Sequence, residues 1–245
     1  VLELIDACEK AGVDIISMGV VLAWATEMQQ RGIISTDETM GLKLSWGDKA
    51  AYLRAIDLVV RAPNDFYAAL GKGVDYASKK YGGEDFAIQL GGLEIPGYHT
   101  GLGNVLGLSV GFRHSHLDNA GYSADQKAFN KPISDEQIVD SIIDEEDRRS
   151  ILNCMVSCLF ARNVYTYENI ILALKGLGIE KTEEELKKLG EDIFRKKYGL
   201  KKKFGFKFEN LKLPKRFFET ASTTGVIEEE RVRKAIEMYR KKRGV

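Results

Sequence analysis

The three histidines of this 245-residue chain all lie between positions 99 and 116. His114 and His116 flank a serine in the segment GFRHSHLDNAGYS (111–123), beside Asp118, and His99 lies just upstream. Imidazole is the side chain best suited to moving protons near neutral pH. His114 and His116 would share one face of an extended segment and diverge on a helix. The cluster is therefore a candidate for acid–base chemistry, and a structural role for each histidine is the alternative.

The three cysteines, Cys8, Cys154 and Cys158, could serve as metal ligands or as small apolar side chains. Their odd number argues against a disulfide framework. Cys154 and Cys158 are four positions apart, so on a helix both would face the same way. A closed zinc site needs about four ligands, and no second pair has a usual ligand spacing. The alternative is that these free cysteines act as small hydrophobes inside an apolar helix.

The glycine-rich segment GLGNVLG (101–107) looks at first like a dinucleotide-binding fingerprint. Its glycine spacing is wrong for that fingerprint, and Pro96 and Gly97 interrupt any preceding strand. The glycines instead predict a close approach of the backbone, either to another helix or to a bulky cofactor.

Charge and hydropathy argue against two classes of partner. The chain carries 36 Lys and Arg residues and 36 Asp and Glu residues, so it lacks the basic surface that nucleic-acid binding requires. A basic stretch at 195–208 and an acidic stretch at 134–149 are predicted to be solvated surface. No run approaches the roughly 20 apolar residues needed to cross a bilayer, and no signal peptide is recognisable. We therefore expect no nucleic-acid or membrane partner and a cytoplasmic location.

Helical periodicity dominates the elements that would position these residues, so the fold class is predicted to be mostly α. Two pairs, Ser134 with Gln137 and Thr182 with Glu185, have the spacing of capping boxes. A short extended link is predicted at 13–19, and a soft boundary near residue 90 separates two helical halves. The predicted helices cover 2–11, 20–32, 47–62, 65–70, 74–80, 102–117, 134–159, 166–176, 183–197 and 228–242.

The start of the chain suggests a missing upstream region. It opens VLELIDACEKAG without an initiator Met or a capping residue, although apolar residues already mark one side of a helix. We therefore expect the chain to be the C-terminal part of a larger protein.

Three separated stretches together resemble one known family: CEKAGVDIISMGVVLAWATEMQQRGII (8–34), LGGLEIPGYHTGLGNVLGLSVGFRHSHLDNAGYS (90–123) and CMVSCLFARN (154–163). They are similar to the C-terminal region of the aldehyde:ferredoxin oxidoreductases, and the closing segments LPKRFF and RVRKAIEMYRKKRG resemble that family as well. The resemblance implies multi-helical C-terminal domains, with 1–90 as the C-terminal portion of helical domain 2 and 91–245 as helical domain 3. It also implies that the N-terminal pterin-binding domain is absent from this sequence or forms a separate subunit.

The family binds tungsten, or molybdenum, on a bis-pterin beside a [4Fe-4S] cluster, and its two pterin motifs have the form Asp-x-x-Gly-Leu-(Asp or Cys). The first corresponds to EKAGVD, where Glu9, Gly12, Val13 and Asp14 resemble the pterin-binding residues. Glu stands here for Asp and Val for Leu. A glycine in this motif lets the backbone approach a flat ring, and carboxylates accept hydrogen bonds from pterin nitrogens.

The second motif corresponds to NCMVSCL, with Asn153 where the family has Asp and with Cys158 and Leu159 at its end. By the same resemblance Cys158 is the fourth ligand of the cluster, which is held by thiolates. The other three cysteines would lie upstream of residue 1, so Cys8 and Cys154 need not be ligands.

The family often shows Arg-Gly-x-x-His-Leu near the metal, and RHSHL keeps its Arg and its closing His-Leu but lacks its Gly. The resemblance implies that Arg113 and His116 take these positions. His116 would be the proton donor or acceptor at the substrate, and His114 is the second choice. The clustered imidazoles would then lie where the substrate pocket meets the metal.

The implied function is oxidation of an aldehyde to a carboxylic acid, with electrons leaving through the cluster to ferredoxin. The metal would perform the redox chemistry while protein groups orient cofactor and substrate and handle protons. Two alternatives stay open. One is a non-catalytic helical module or fragment that packs against a pterin-binding partner, and the other is a subunit like that of class II benzoyl-coenzyme A reductase, which SHLDNAGYSADQ resembles. The substrate, the metal and the oligomeric state, with a homodimer as one option, also stay open.

Overall fold

The structure is a computed structural model, and it describes residues 1–245 except for the side chain of residue 130. The described chain contains thirteen α-helices and one two-stranded sheet, so the prediction of a mostly α fold is confirmed. Strands β1 (Gln89–Leu90) and β2 (Leu93–Glu94) are antiparallel and pair Gln89 with Glu94. The helices are α1 (Leu2–Ala11), α2 (Ile15–Gln30), α3 (Lys49–Arg61), α4 (Asp65–Leu70), α5 (Val74–Tyr81), α6 (Leu102–Val110), α7 (His116–Asn119), α8 (Gly121–Asn130), α9 (Asp135–Cys154), α10 (Tyr167–Gly176), α11 (Glu183–Lys203), α12 (Arg216–Glu219) and α13 (Glu229–Arg243).

The chain divides into two compact units. The first unit is Val1–Tyr98 with Lys212–Thr220, and the second is His99–Leu211 with Ala221–Val245. This division falls after Tyr98, and a later segment of the chain returns to the first unit. The assignment of 1–90 and 91–245 to two family domains stays a prediction.

Helix α2 is central to the core of the first unit. It begins after Asp14, whose side chain accepts a hydrogen bond from Ser17 N at 2.7 Å. The predicted extended link at 13–19 is therefore wrong, because the Asp14 cap and the burial of this helix outweigh the strand preference of its isoleucines. The helix buries Met18, Val21, Leu22, Trp24, Ala25, Thr26 and Met28.

Helices α6 and α8 of the second unit pack with their backbones in close approach. A Cβ on Gly103 would lie 2.7 Å from Gly121 O, and a Cβ on Gly121 would overlap Gly103 O. Asp125 of α8 holds the start of α6 by accepting hydrogen bonds from Gly103 N at 2.7 Å and from Asn104 N at 2.8 Å. The glycines of the 101–107 segment thus permit a close helix contact.

Helix boundaries near the predicted site residues differ from expectation. Helix α6 ends at Val110 rather than at 117, and α9 ends at Cys154 rather than at 159. Val156 has φ 55°, a left-handed conformation that takes the chain out of the helix. Cys154 and Cys158 therefore do not share a helix face, and both are exposed. The interpretation of these two cysteines as apolar residues inside a helix is wrong, whereas Cys8 is buried.

The two charged stretches are not entirely surface. Lys201 of the basic stretch is 7% exposed, and Glu146 and Arg149 of the acidic stretch are 0% and 2% exposed. Glu146 accepts hydrogen bonds from Tyr239 OH and from Arg243 Nη2, the latter at 3.2 Å. The prediction of solvated surface is therefore wrong at these buried residues, each of which has an internal partner.

No single helix of the described chain is long and apolar enough to span a membrane. Helices α1 and α2 reach the necessary length and composition only as a pair, and the pair is bent by 113°.

Candidate functional site

The first candidate site is the turn between α1 and α2. Gly12 has φ 69° and ψ 33°, a left-handed conformation that ends α1 and favours glycine. Val13 N donates a hydrogen bond to Cys8 O at 3.1 Å, and Asp14 then caps α2. Glu9, Gly12 and Asp14 are exposed and Val13 is half-buried. Three of the four residues expected to bind a pterin thus lie in this turn and Glu9 lies in the last turn of α1, with both carboxylates accessible.

This turn borders a cleft of about 290 Å³. Val13 and Asp14 line it together with Ser17, Lys72 and Glu94. Glu9, which is also predicted to bind the pterin, is not among the described residues that line this cleft. Pockets that enclose a small ligand usually measure about 300–1,000 Å³. The cleft can therefore hold one edge of a large cofactor but cannot enclose it.

Glu94 connects the turn to two other elements of the first unit. Ser17 Oγ donates to Glu94 Oε2 at 2.9 Å, and Val74 N at the start of α5 donates to Glu94 Oε1 at 2.6 Å. Ser17 N also donates to Asp14 Oδ1. Gly73 has φ 92°, and a Cβ there would lie 2.7 Å from Glu94 Oε1. A continuous hydrogen-bond network thus runs from Asp14 to α5 through the buried Glu94, which is 6% exposed.

Ser17 and Glu94 belong to this site although they were not predicted from the sequence. The two residues are 77 positions apart, and neither belongs to a motif that predicts their contact. Only the packing of β2 against α2 brings them together.

The second candidate site is residues 111–118, which comprise the turn after α6 and the start of α7 and which we call the histidine turn. Arg113 N donates to Asp118 Oδ2 at 2.7 Å, and Arg113 Nε donates to Asp118 Oδ1 at 2.9 Å. Ser115 and Asp118 form a capping box at the start of α7. Asp118 is 2% exposed, so the turn closes around a buried, ion-paired carboxylate. The spacing Ser-x-x-Asp is the sequence signal for this arrangement.

His114 is a buried residue of the histidine turn. It has φ 58° and is 6% exposed. Its Nδ1 lies 2.9 Å from Leu108 O, so Nδ1 carries the proton and donates it to the carbonyl. Burial lowers the pKa of His114 to about 4, with the nearby charge of Lys201 as a smaller cause. His114 is therefore neutral near pH 7, and the hydrogen bond from its ring to Leu108 O holds it in place.

His116 is more accessible than His114. It is half-buried at the start of α7, and its ring centroid lies 6.2 Å from that of Tyr122. Burial and, secondly, the charge of Arg149 lower the pKa of His116. Arg149 Nη1 donates to Leu117 O at 3.0 Å and holds this end of the turn. A neutral imidazole that solvent can reach is suited to accepting a proton.

The third candidate site is the loop that follows α9. Asn153 lies in the last turn of α9 and is exposed, and its carbonyl accepts a hydrogen bond from Val156 N at 3.1 Å. Leu159 packs against a small apolar cluster that contains Ile151 and Leu152. Cys158 is exposed. The loop is therefore anchored by one side chain while the thiol beside it stays accessible.

The described residues contain no group of three or more His, Cys, Asp or Glu side chains that could hold a metal ion. Cys158 can supply one thiolate, but a metal cluster needs further ligands. Glu9, Gly12, Val13 and Asp14 lie in the first unit. The other predicted residues, Arg113, His114, His116, Asn153, Cys158 and Leu159, lie in the second unit.

The chain is thus a mostly helical protein with two exposed carboxylates around the first turn, a half-buried histidine in the second site and two exposed thiols at and after the end of α9. The family model described as aldehyde ferredoxin oxidoreductase, domains 2 and 3, matches residues 1–245, and the chain belongs to this family.

Curated relatives agree with this assignment. The chain is 26% identical over 240 residues to the tungsten-containing aldehyde ferredoxin oxidoreductase of Thermococcus kodakarensis and 26% identical over 241 residues to that of Pyrococcus furiosus. Each alignment covers 92% of this chain and 39% of the relative, so the chain spans well under half the length of these proteins. It is also 30% identical over 103 residues to the aliphatic sulfonate oxidoreductase, WOR-like subunit, of P. furiosus, which covers 42% of this chain and 15% of the relative.

Proposed function

We propose that this chain is part of a tungsten-containing oxidoreductase that converts an aldehyde to a carboxylic acid, with ferredoxin as electron acceptor. The observation that carries this proposal is the match of the family model along the whole chain. Oxidation of an aldehyde consumes water and releases electrons and protons, so the enzyme needs both an electron path and a group that takes up protons.

The cofactor proposed for this reaction is tungsten, or molybdenum, on a bis-pterin, which supplies the redox chemistry when bound. Glu9, Gly12, Val13 and Asp14 would bind one pterin. The left-handed Gly12 leaves the backbone of the turn open to a flat ring. Within the described residues Asp14 Oδ2 has no hydrogen bond, so it is free to accept one from a pterin N–H. The small size of the cleft supports contact with one edge of the cofactor.

We assign to Cys158 the role of one ligand to a [4Fe-4S] cluster, and to Asn153 and Leu159 contact with the second pterin. The exposed thiol and the anchored loop support these roles. The remaining thiolates would come from an N-terminal domain or from a separate subunit, since the described chain offers no further group for a metal.

His116 is the group that we propose to accept or donate the proton at the substrate. Its accessibility supports this role, and the bonds from Arg113 to Asp118 hold the turn that carries it. Arg113 would orient the substrate, because its side chain is 49% exposed although its Nε is tied to Asp118. His114, the second choice for catalysis, fits a supporting role better because it is buried and bonded to Leu108 O.

Metal analysis of protein purified without oxygen, together with the polypeptide that supplies the other ligands, tests the proposal. Tungsten and about four iron atoms per chain are expected. Cys158→Ser should lose most of the iron. Cys154→Ser is the matched control, since Cys154 is also exposed, and it should keep the iron. Unchanged iron in Cys158→Ser would rule out the ligand assignment.

An aliphatic sulfonate is the second candidate substrate, and it is favoured by the 30% identity to the sulfonate oxidoreductase subunit. Ferredoxin reduction by the metal-loaded protein should be measured with aldehydes and with sulfonates in the same preparation. Reduction with sulfonates alone would replace the aldehyde proposal. Reduction with neither would favour a non-catalytic helical module.

A further inference from the structure

Lys201 is a buried lysine in a stretch whose neighbouring lysines are exposed. It lies in the last turn of α11 and is 7% exposed, whereas Lys202 and Lys203 are exposed. Burying an ammonium group without partners is strongly unfavourable. The contacts of Lys201 must therefore offset a cost that neither neighbour incurs.

Those contacts are to the histidine turn and to one aromatic ring. Lys201 Nζ donates a hydrogen bond to Gly111 O at 2.7 Å and lies 3.9 Å from the ring centroid of Phe206. The ring of Phe206 in turn lies 5.6 Å from the ring of His114. Gly111 follows the last residue of α6, where carbonyl groups carry partial negative charge. A cation is favoured at this position over an apolar side chain.

Charged groups on several elements surround this ammonium. The carboxylates of Asp118 on α7 and Glu146 on α9 attract it, while burial, the largest effect, lowers the pKa of Lys201 to about 8. Burial raises the pKa of Glu146, and the charges of Arg243 and Lys197 lower it. After burial, the charge of Lys201 is the next cause that lowers the pKa of His114, because it disfavours the protonated imidazole. The site is thus a buried cation that feels two carboxylates and lies near one neutral histidine.

We propose that Lys201 is a positioning residue for the histidine turn: its ammonium clamps Gly111 O at the start of the turn while Asp118 closes the end. Arg113 and His116 are then presented in one arrangement. A role of this arrangement in catalysis rests on the proposed function. The contact of Lys201 with Gly111 O does not depend on that function. A lysine that only filled space would be replaced without consequence by an unbranched apolar side chain.

The three histidines provide the probe, because the imidazole signals of each can be followed by NMR in the full chain. Three variants separate charge from volume: Lys201→Met keeps the length and removes the charge, Lys201→Arg keeps a cationic donor, and Lys202→Met removes an exposed charge next door. In Lys201→Met the signals of both His114 and His116 should move, and the pKa of His114 should rise by roughly half a unit or more. Lys201→Arg should restore most of the original signals, and Lys202→Met should leave them unchanged.

If the imidazole signals of His114 and His116 in Lys201→Met are the same as in the unmodified chain, the ammonium does not position the histidine turn. Should that variant fail to fold, the exchange of the lysine Nζ protons with water can be measured in the unmodified chain. The Lys201 protons should exchange more slowly than those of the exposed Lys202, because Lys201 Nζ is buried and bonded to Gly111 O, and equal rates would overturn the proposal. These experiments measure no turnover. The clamp can therefore be confirmed if His116 proves not to be catalytic, and it can fail while the catalytic role of His116 stands.

Discussion

His116 is the residue on which the proposed proton transfer depends. Replacing it by alanine should lower aldehyde-dependent reduction of ferredoxin by about 10²–10⁴-fold, the usual contribution of a positioned acid or base. Tungsten and iron contents should stay unchanged, because His116 is not proposed as a ligand. His99→Ala is the control, since this histidine is also partly buried but has no proposed catalytic role. Activity close to that of the control would give His116 a structural role.

His114 makes the stability of the second unit depend on pH. Its folded pKa of about 4 lies below the ordinary value of 6.5, so the unfolded chain binds the proton more tightly. The free energy of unfolding is therefore not reduced by His114 above about pH 6.5, and it falls as the pH drops towards 4. Near pH 4.5 the loss should amount to roughly 2–3 kcal/mol.

His114→Asn tests this dependence. Asparagine tolerates a left-handed backbone and retains a donor for Leu108 O, but it does not titrate. Urea unfolding of both proteins at pH 7 and at about pH 4.5 should show a smaller acid loss in the variant by roughly that amount. Equal losses would mean that other groups carry the acid sensitivity.

At the scale of elements, the close approach of α6 and α8 supports the position of the histidine turn. A Cβ on Gly121 would overlap Gly103 O, which is backbone and cannot move alone. Gly121→Ala should therefore destabilise the chain by about 3 kcal/mol or more, at the severe end for overpacking. The measurement is the free energy of unfolding in urea.

Gly176→Ala is the matched control for this substitution. Gly176 ends α10, and a Cβ there would meet nothing within 4 Å. This change should be neutral or stabilising by up to about 1 kcal/mol. Similar effects of the two substitutions would show that the backbone contact is not tight.

Much of the helical framework is predictable from sequence because periodicity and caps are local. The capping boxes at Ser134 and Thr182 start α9 and α11 where expected. The extended link at 13–19 was mispredicted because strand preference is weak beside the Asp14 cap and burial of α2. The contact of Lys201 with Gly111 spans 90 positions. Local sequence carries no signal for it, since a buried lysine and an exposed one look alike.

At the scale of the molecule, the first unit is built from two separated parts of the chain. Lys212–Thr220 belongs to it although the preceding residues belong to the second unit. Arg216 Nη2 bonds Glu27 at 2.6 Å, and Lys215 Nζ bonds the exposed Asp85 at 2.9 Å. Phe217 in this segment is 4% exposed. The exposed pair contributes little, so burial of Phe217 should dominate the attachment.

A chain of residues 1–98 should consequently be less stable than the same chain joined by a flexible linker to residues 212–220. We expect a difference of about 2 kcal/mol or more in the free energy of unfolding, because a buried phenylalanine typically contributes that much. The linked chain with Phe217→Ala should lose most of the gain. The linked chain with Lys215→Ala is the control and should keep it.

The return of residues 212–220 to the first unit also bears on how the protein is made. A ribosome delivers polypeptide from the amino end, so everything up to Leu211 must emerge before this segment can take its place. Throughout that interval the nascent first unit lacks the segment that contains Phe217, and an incomplete unit is more exposed to chaperones and to other nascent chains. Completion of the first unit thus waits until residue 220 has been translated, and a stall just before Lys212 would leave it unfinished.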